Sequence, residues 1–441
     1  MYDTIYLIYG TILKKILNES DFCMKVKVFT LILAVLTLFS VFSVTSFADE
    51  QENRIKASMD SILTPDGGII GVSSKGEWKN YPENSIPAIK EAAKTDIDFI
   101  AVDANIAGCG TLILFSDDTT ERMLDADSVF NIAETNYSVL SEYKLKNSCG
   151  GSNEKATFYT IPTLDEAIDC AKENDIPLII RCKASIINEV SKLLAEKNAL
   201  SMCIVMTSAS AKEISEELKD IKEKPYIIGS KKGNVIFAIT SYVNSLEEIS
   251  AVGTELKTGN RYGINFYPGL LEKYSANMRV ISDPTTPEIS GYREDSEIWW
   301  NDLISRGYSV IITDHAELFC EYKERTEKAR VALKSLYDKY VTNHTLPVFK
   351  DEVLSDLKKA YTDAVAYAET LLSDNSSSLN DLSDCYAKLF KAANDVNKNF
   401  SALEDGSAGT TITLPRILLC IGAAIVVVVV QIYFFKRRKV G

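Results

Sequence analysis

Six short polar clusters carry the groups able to do chemistry. They are Ser74-Lys75-Gly76, Pro82-Glu83-Asn84, Asp103, Ser116-Asp117-Asp118 with Arg122 downstream, Arg181-Cys182-Lys183, and Asp314-His315. Most of them close an apolar run: Ile69 to Val72, Phe99 to Val102, Leu112 to Phe115, the stretch PLIIRCKA from Pro177 to Ala184, and SVIITD from Ser309 to Asp314. Polar residues repeated at the C-terminal ends of strands are what the mouth of a (β/α)8 barrel requires. The chemistry on offer is limited. The chain has two histidines in all, His315 after the last of these runs and His344 far downstream. A serine hydroxyl is a poor general acid or base near neutral pH. Lys75, Arg122, Arg181 and Lys183 are suited instead to holding an anion through charge-assisted, in part bidentate, hydrogen bonds. On this reading an Arg181 to Asp103 pair holds a phosphate or sulfate by a bidentate contact; the alternative is that these are solvated loop charges plus one structural ion pair.

The elements needed to position these groups follow in order. A helical pattern with Ile86, Ile89 and Ala92-Ala93 on one face begins after Pro82-Glu83-Asn84, and Glu83 and Asn84 are expected to start and cap it. Trp78, beside Lys75, either stacks on a sugar or head group or packs in its loop. Glu121 to Tyr159 is an insertion with Gly150-Gly151-Ser152-Asn153 as its flexible tip. Thr163 is a candidate N-cap for a helix from Leu164 to Lys172. Helices at 185–197, 211–221, 245–256 and 296–306 then alternate with strands at 202–206, 226–228, 235–239, 263–267, 279–282 and 308–313. Alternation at this spacing argues for a parallel sheet, and Trp299-Trp300 on the last helix reads as core.

The frame of these clusters resembles the glycerophosphodiester phosphodiesterase family, a phospholipase C-like phosphodiesterase barrel, in degenerate form. That family shows a His-Arg-Gly turn, a Pro-Glu-Asn helix start, a Glu-x-Asp strand end, a later His-Asp and a Glu-x-Lys strand. Here Ser74-Lys75-Gly76, Pro82-Glu83-Asn84, Ala101-Val102-Asp103, Ser116-Asp117 and Arg181-Cys182-Lys183 stand in those places. The resemblance covers residues 68–320 and implies an α/β (β/α)8 TIM barrel. It implies a reaction in which a divalent metal and two histidines attack a phosphodiester. Both histidine positions are serine, Ser74 and Ser116, with His315 a weak substitute. Of the metal carboxylates only Asp103 remains, since Ala101 and Arg181 replace the others. No cofactor is therefore expected, and Ca2+ or Mg2+ only if the barrel is an active enzyme with a non-standard site. The expectation is a non-hydrolysing relative that binds a phosphorylated glycerol or cell-envelope polymer, or a protein partner. The alternatives are an active phosphoric diester hydrolase and a surface spacer or adhesin.

The flanks read differently. Residues 1–23 match no familiar element and look like an over-long start. Residues 24–48, with Lys25 and Lys27 before an apolar run and Ser46-Phe47-Ala48 at its end, read as a secretory signal peptide, and 49–67 as a lead-in with a helix near Ile55 to Leu63. From 321 to 400 glycine disappears and three amphipathic patterns follow, Tyr322 to Tyr340, Val348 to Leu372 and Leu379 to Asn397. They predict a three-helix bundle that resembles the FIVAR-type modules of surface proteins. Its apolar stripes run through Leu333 and Leu336, through Leu354 and Tyr361, and through Leu382, Tyr386, Leu389 and Phe390. A linker, 401–413, leads to an apolar run within 414–435 and a basic tail, 436–441. That length spans a bilayer and the tail belongs in the cytoplasm, so the expected protein is single-pass with its bulk outside the cell membrane. A net charge of −13 argues against nucleic acid as a partner. Nine cysteines without a CxxC pair or Cys/His cluster argue against a zinc site. Cys109 and Cys149 are the one pair placed to be tested as a disulfide.

Overall fold

The computed structural model describes residues 54–64, 66–207, 209, 211–230, 237–240, 279–282, 295–305, 307–348 and 353–404. The expected signal peptide, membrane span, 245–256 helix and 263–267 strand lie outside them, as does the expected linker beyond residue 404; its first residues, 401–404, are helical. Among the described residues no helix is long and apolar enough to cross a membrane.

Near-continuous apolar runs rich in Ile and Val, buried on both faces, build the staves, as β-branched side chains favour a pleated, packed surface. β1 (Ile70–Ser74) pairs in parallel with β2 (Phe99–Ile106). β2 then pairs in parallel with β6 (Leu178–Arg181), β6 with β7 (Cys203–Thr207), and β7 with β8 (Tyr226–Ser230). β9 (Phe237–Thr240), β10 (Arg279–Ser282) and β11 (Val310–Thr313) continue the ring, and β11 closes it against β1. Among the described residues eight strands thus pair into a closed ring. β9 departs from the expected all-parallel order: it runs antiparallel to both β8 and β10. Only six residues separate Ser230 from Phe237. A parallel crossover needs a dozen or more, so the chain turns back as a hairpin. The same limit applies to β3 (Leu112–Leu114), which folds back antiparallel on the far end of β2 and is not a stave.

Alternation divides the side chains into two sets. Ile70, Val72, Phe99, Ala101, Ile179, Ile204, Val310 and Ile312 fill the barrel interior. Ile100, Val102, Leu178, Ile180, Val205 and Ile311 face the surrounding helices. The lead-in is a helix, α1, over residues 54–63. Met59 and Ile62, one turn apart, join the interior set, so α1 plugs the barrel. Arg54 fastens it there, donating to the carbonyls of Ala93, Thr95 and Ile97 at 2.8–3.0 Å.

Two helices set the geometry near the mouth. α2 (Ile86–Ala92) is capped by Ser85, whose hydroxyl accepts from Ala88 N. The expectation that Glu83 and Asn84 cap this helix is therefore corrected by one residue or more, and both side chains are left for the site. The insertion contains β4 (Leu124–Asp125), α3 (Tyr137–Leu140) and β5 (Lys144–Leu145), with Ile113, Phe115, Met123, Ile132, Leu140 and Leu145 as its own small core. α4 (Leu164–Glu173) opens with the expected Thr163, here in a full capping box with Glu166.

α5 (Ile187–Glu196), α6 (Ala211–Glu217) and α7 (Glu297–Ser305) follow around the barrel. Trp300 is buried against Phe319 and Tyr322, and Trp299 is partly buried against the same core. Three long helices follow: α8 (Ala316–Tyr337), α9 (Ser355–Ser373) and α10 (Leu379–Glu404). Contacts divide the chain into two units within these helices, so the expected boundary at 320/321 is not where they part. Of the described residues, those up to Arg330 and 371–382 belong with the barrel, and 331–370 with 383–404 form the second unit. In that second unit Leu333, Leu336, Tyr361, Ala368, Leu389 and Val396 are buried. Leu354, Tyr386 and Phe390, assigned above to the apolar stripes, are exposed, and the two rings of α10 stack on each other at 6.2 Å.

Candidate functional site

Register carries the polar clusters to one end of the barrel. Ser74 closes β1 and pairs with Ala101, and Asp103 pairs with Arg181, the last residue of β6. Asp103 and Arg181 continue the inward series of Ala101 and Ile179, so both stand at the interior rim. Ser116 reaches the same place from the turn after β3. Lys75 and Asn84 both adopt positive φ, +60° and +55°, a conformation uncommon for side chains other than glycine. Gly76, at φ +79°, has no alternative: a Cβ there would lie 2.6 Å from the Ala88 carbonyl carbon. The turn is thus pressed against α2, and the pressing brings Lys75 over Glu83.

Two carboxylates organise what results. Glu83 is buried, and Lys75 Nζ (3.0 Å) and Arg122 Nη2 (2.6 Å) sit on its oxygens. Asp103 Oδ1 accepts from Arg181 Nε at 2.6 Å, and its Oδ2 lies 4.0 Å from Lys75 Nζ. Ser116 Oγ stands 2.6 Å from Asp103 Oδ2 and 3.0 Å from Glu83 Oε1, and its single proton serves one of them at a time. Asn84 donates to Ser116 Oγ and to Asp103, and accepts from the Asp103 backbone N–H at 2.9 Å. Burial works against the Asp103 charge. Arg181 and Lys75, aided by hydrogen bonds from Ser116 and Asn84, outweigh it and hold the carboxyl at about 2. For Arg122 burial also opposes the charge, and Glu83 and Asp117 more than restore it.

The insertion contributes directly, which the sequence did not suggest. Arg122 Nη1 donates to the Cys149 carbonyl at 2.5 Å, and Glu83 N to that of Ser148 at 2.9 Å. A Cβ on Gly150 would lie 2.3 Å from the Arg122 carbonyl oxygen. The Gly150-Gly151 stretch is therefore a docked turn and not a free tip. Cys149 and Cys109 are both free and exposed. Hydrogen bonds from the Thr111 side chain and the Tyr137 amide hold the Cys109 thiol down at about 7.

Of the anion-binding set, Lys75, Arg122 and Arg181 converge and Lys183 does not. β6 ends at Arg181, so the strand alternation that would align Lys183 with it stops. Lys183 caps a short 3-10 turn and pairs with Asp118 in solvent. Each of the four cations is in an ion pair with a carboxylate. Trp78 is engaged in structure, donating its indole N–H to Asp314 at 2.9 Å. His315 bonds Lys79 through Nδ1, and burial followed by the Lys79 charge lowers its pKa.

The residues do not fit a divalent metal. Ala101 supplies no oxygen, a guanidinium occupies Asp103, and both oxygens of Glu83 carry cations. Among the described residues no group of three or more His, Cys, Asp or Glu side chains is arranged around a common point.

The model of the Glycerophosphoryl diester phosphodiesterase family matches residues 75–246, the stretch that supplies this network. The chain carries a glycerophosphoryl diester phosphodiesterase family domain. A glycerophosphodiester phosphodiesterase of Caldanaerobacter subterraneus subsp. tengcongensis is 28% identical over 116 residues, 26% of this chain and 46% of that protein. The chain thus spans about half the length of the curated relative it matches. Among solved structures, a glycerophosphoryl diester phosphodiesterase from Parabacteroides distasonis is similar with a TM-score of 0.46 and 16% identity, over 60% of this chain and 90% of that one. A phosphodiesterase from Oleispira antarctica, solved in complex with the product sn-glycerol-3-phosphate, gives 0.40 and 16%, over 58% and 96%.

Proposed function

We propose that this family domain binds a phosphorylated ligand at the barrel mouth without hydrolysing it, and that the chain presents it outside a membrane. The observation that carries the reading is Arg181 on Asp103. A guanidinium offers charge and directed donors but little Lewis acidity, so it can hold a phosphoryl oxygen without activating the bond to be cleaved. Ser74 and Ser116 occupy the positions where the resemblance requires proton-transfer histidines, and a hydroxyl is poorly matched to that task. Lys75, Arg122 and Arg181 around one opening favour a phosphodiester group, such as a glycerophosphoryl unit or an envelope polymer built of them. Because each cation already has a carboxylate, the ligand competes with internal ion pairs. The affinity is expected to be modest and to weaken as salt screens the contact. Residues 417–435 supply the anchor and 436–441 the cytoplasmic tail.

Two measurements on the purified chain test this. With Ca2+, Mg2+ or Mn2+ present, glycerophosphodiesters should release no glycerol 3-phosphate. Turnover that needs metal and disappears in Asp103→Ala overturns the reading. Calorimetry at low salt should show glycerol 3-phosphate or a polyglycerophosphate binding, abolished by Arg181→Glu. No heat with the wild type would leave the mouth without a ligand and favour the spacer alternative.

A further inference from the structure

Glu83 and Asp103 are 3% and 17% exposed, and one hydroxyl, Ser116 Oγ, lies within hydrogen-bond distance of both. Two carboxylates so close and so far from water repel each other unless two positive charges are supplied. A divalent cation is the compact source of that charge for oxygen donors. Here the chain supplies it. Lys75 Nζ bridges the pair, 3.0 Å from Glu83 and 4.0 Å from Asp103, and Arg181 Nε takes the other Asp103 oxygen at 2.6 Å. Arg122 leans on Glu83 too, but it has Asp117 at 2.7 Å as its own counter-charge. We propose that Lys75 and Arg181 together replace a divalent cation, neutralising Glu83 and Asp103 so that the mouth keeps its shape without metal.

A second observation supports this. Lys75 holds a positive-φ conformation, fixed by its N–H to the Ala101 carbonyl at 2.7 Å and its own carbonyl to Asn84 N at 3.0 Å. Such strain persists only where the surroundings over-determine it. What it secures here is an ammonium group between buried Glu83 and half-buried Asp103. Lysine is a point charge with rotatable donors and suits the bridging place, whereas the planar guanidinium suits the single carboxylate edge. The mouth is held together in this way whether or not it binds a phosphate.

The test is metal dependence of folding. Thermal melts of the wild-type chain in EDTA and in calcium should coincide. Lys75→Met/Arg181→Met removes both charges at similar volume and should expose a cation site made of Glu83, Asp103 and the Ser116 hydroxyl. In EDTA this variant should melt lower than the wild type. Calcium at ten times its dissociation constant should raise the melting point by about 3 °C, and adding Glu83→Gln should remove that response. Should the double variant fail to fold in EDTA, Arg181→Gln alone should show the same calcium response at smaller amplitude. The proposal is overturned if calcium shifts the wild-type melt. It is equally overturned if whichever charge-removal variant folds is indifferent to calcium.

Discussion

Asp103 is an acid whose ionised form is held by two cations and two neutral donors, while burial alone would favour its protonated form. That balance makes it a stability switch in the acid range. Its pKa falls from 3.8 in a model peptide to about 2 in the fold. A depressed carboxylate stabilises the fold fully above its unfolded value and loses that contribution as pH falls through its folded value. Asp103→Asn should therefore cost about 2–3 kcal/mol in urea denaturation near neutral pH, since it also strands Arg181. The gap between wild type and variant should close as pH falls from about 4 toward 2. An equal gap at both ends would mean that the loss is one of packing and not of charge. At this scale the sequence picked out most of the residues that meet at the mouth but not their state. Arg181 and Asp103 could be read as a pair because their strands are neighbours in the resemblance. Nothing in the linear order placed Glu83 under Lys75, because helix starts favour acidic residues for a local reason as well.

Among elements, the insertion differs most from its sequence reading. Gly150-Gly151 looks like a mobile tip because consecutive glycines usually mark one. It is instead a place where two backbones meet, with Gly151 N donating to the Arg122 carbonyl at 2.7 Å and Gly150 at φ +68°. Gly150→Ala should cost about 1–3 kcal/mol at this contact, from the conformation and from the clash. Hydrogen exchange should accelerate across residues 141–156 while β1 amides keep their rates. Unchanged exchange in that stretch would show that the turn does not depend on the close approach. The hairpins β2–β3 and β8–β9 were legible in principle, since connections of five and six residues are too short for a parallel crossover. Alternating helices elsewhere obscured that arithmetic.

At the scale of the whole molecule, the proposed anchor follows the barrel and the second helical unit in sequence. If residues 417–435 span the membrane with the 436–441 tail inside, protease added to intact cells lacking an outer barrier should digest the chain up to about residue 414. A barrel that survives such treatment in intact cells, yet is cut after lysis, would place it on the other side.

The local sequence determined the staves, the capping box at Thr163, the helical character of 316–404 and the set of polar clusters at strand ends. Each follows from periodicity or cap chemistry within a few residues. Tertiary structure alone decided which of those charges meet. Pairing of β2 with β6 put Asp103 beside Arg181 in register, and the strained turn at Lys75 together with the docked Gly150 turn enclosed Glu83. Whether a carboxylate ends up in water or between cations depends on contacts across 8 to 78 positions of chain. No local pattern encodes that distance, because electrostatic and packing terms act only once the barrel has brought the groups together.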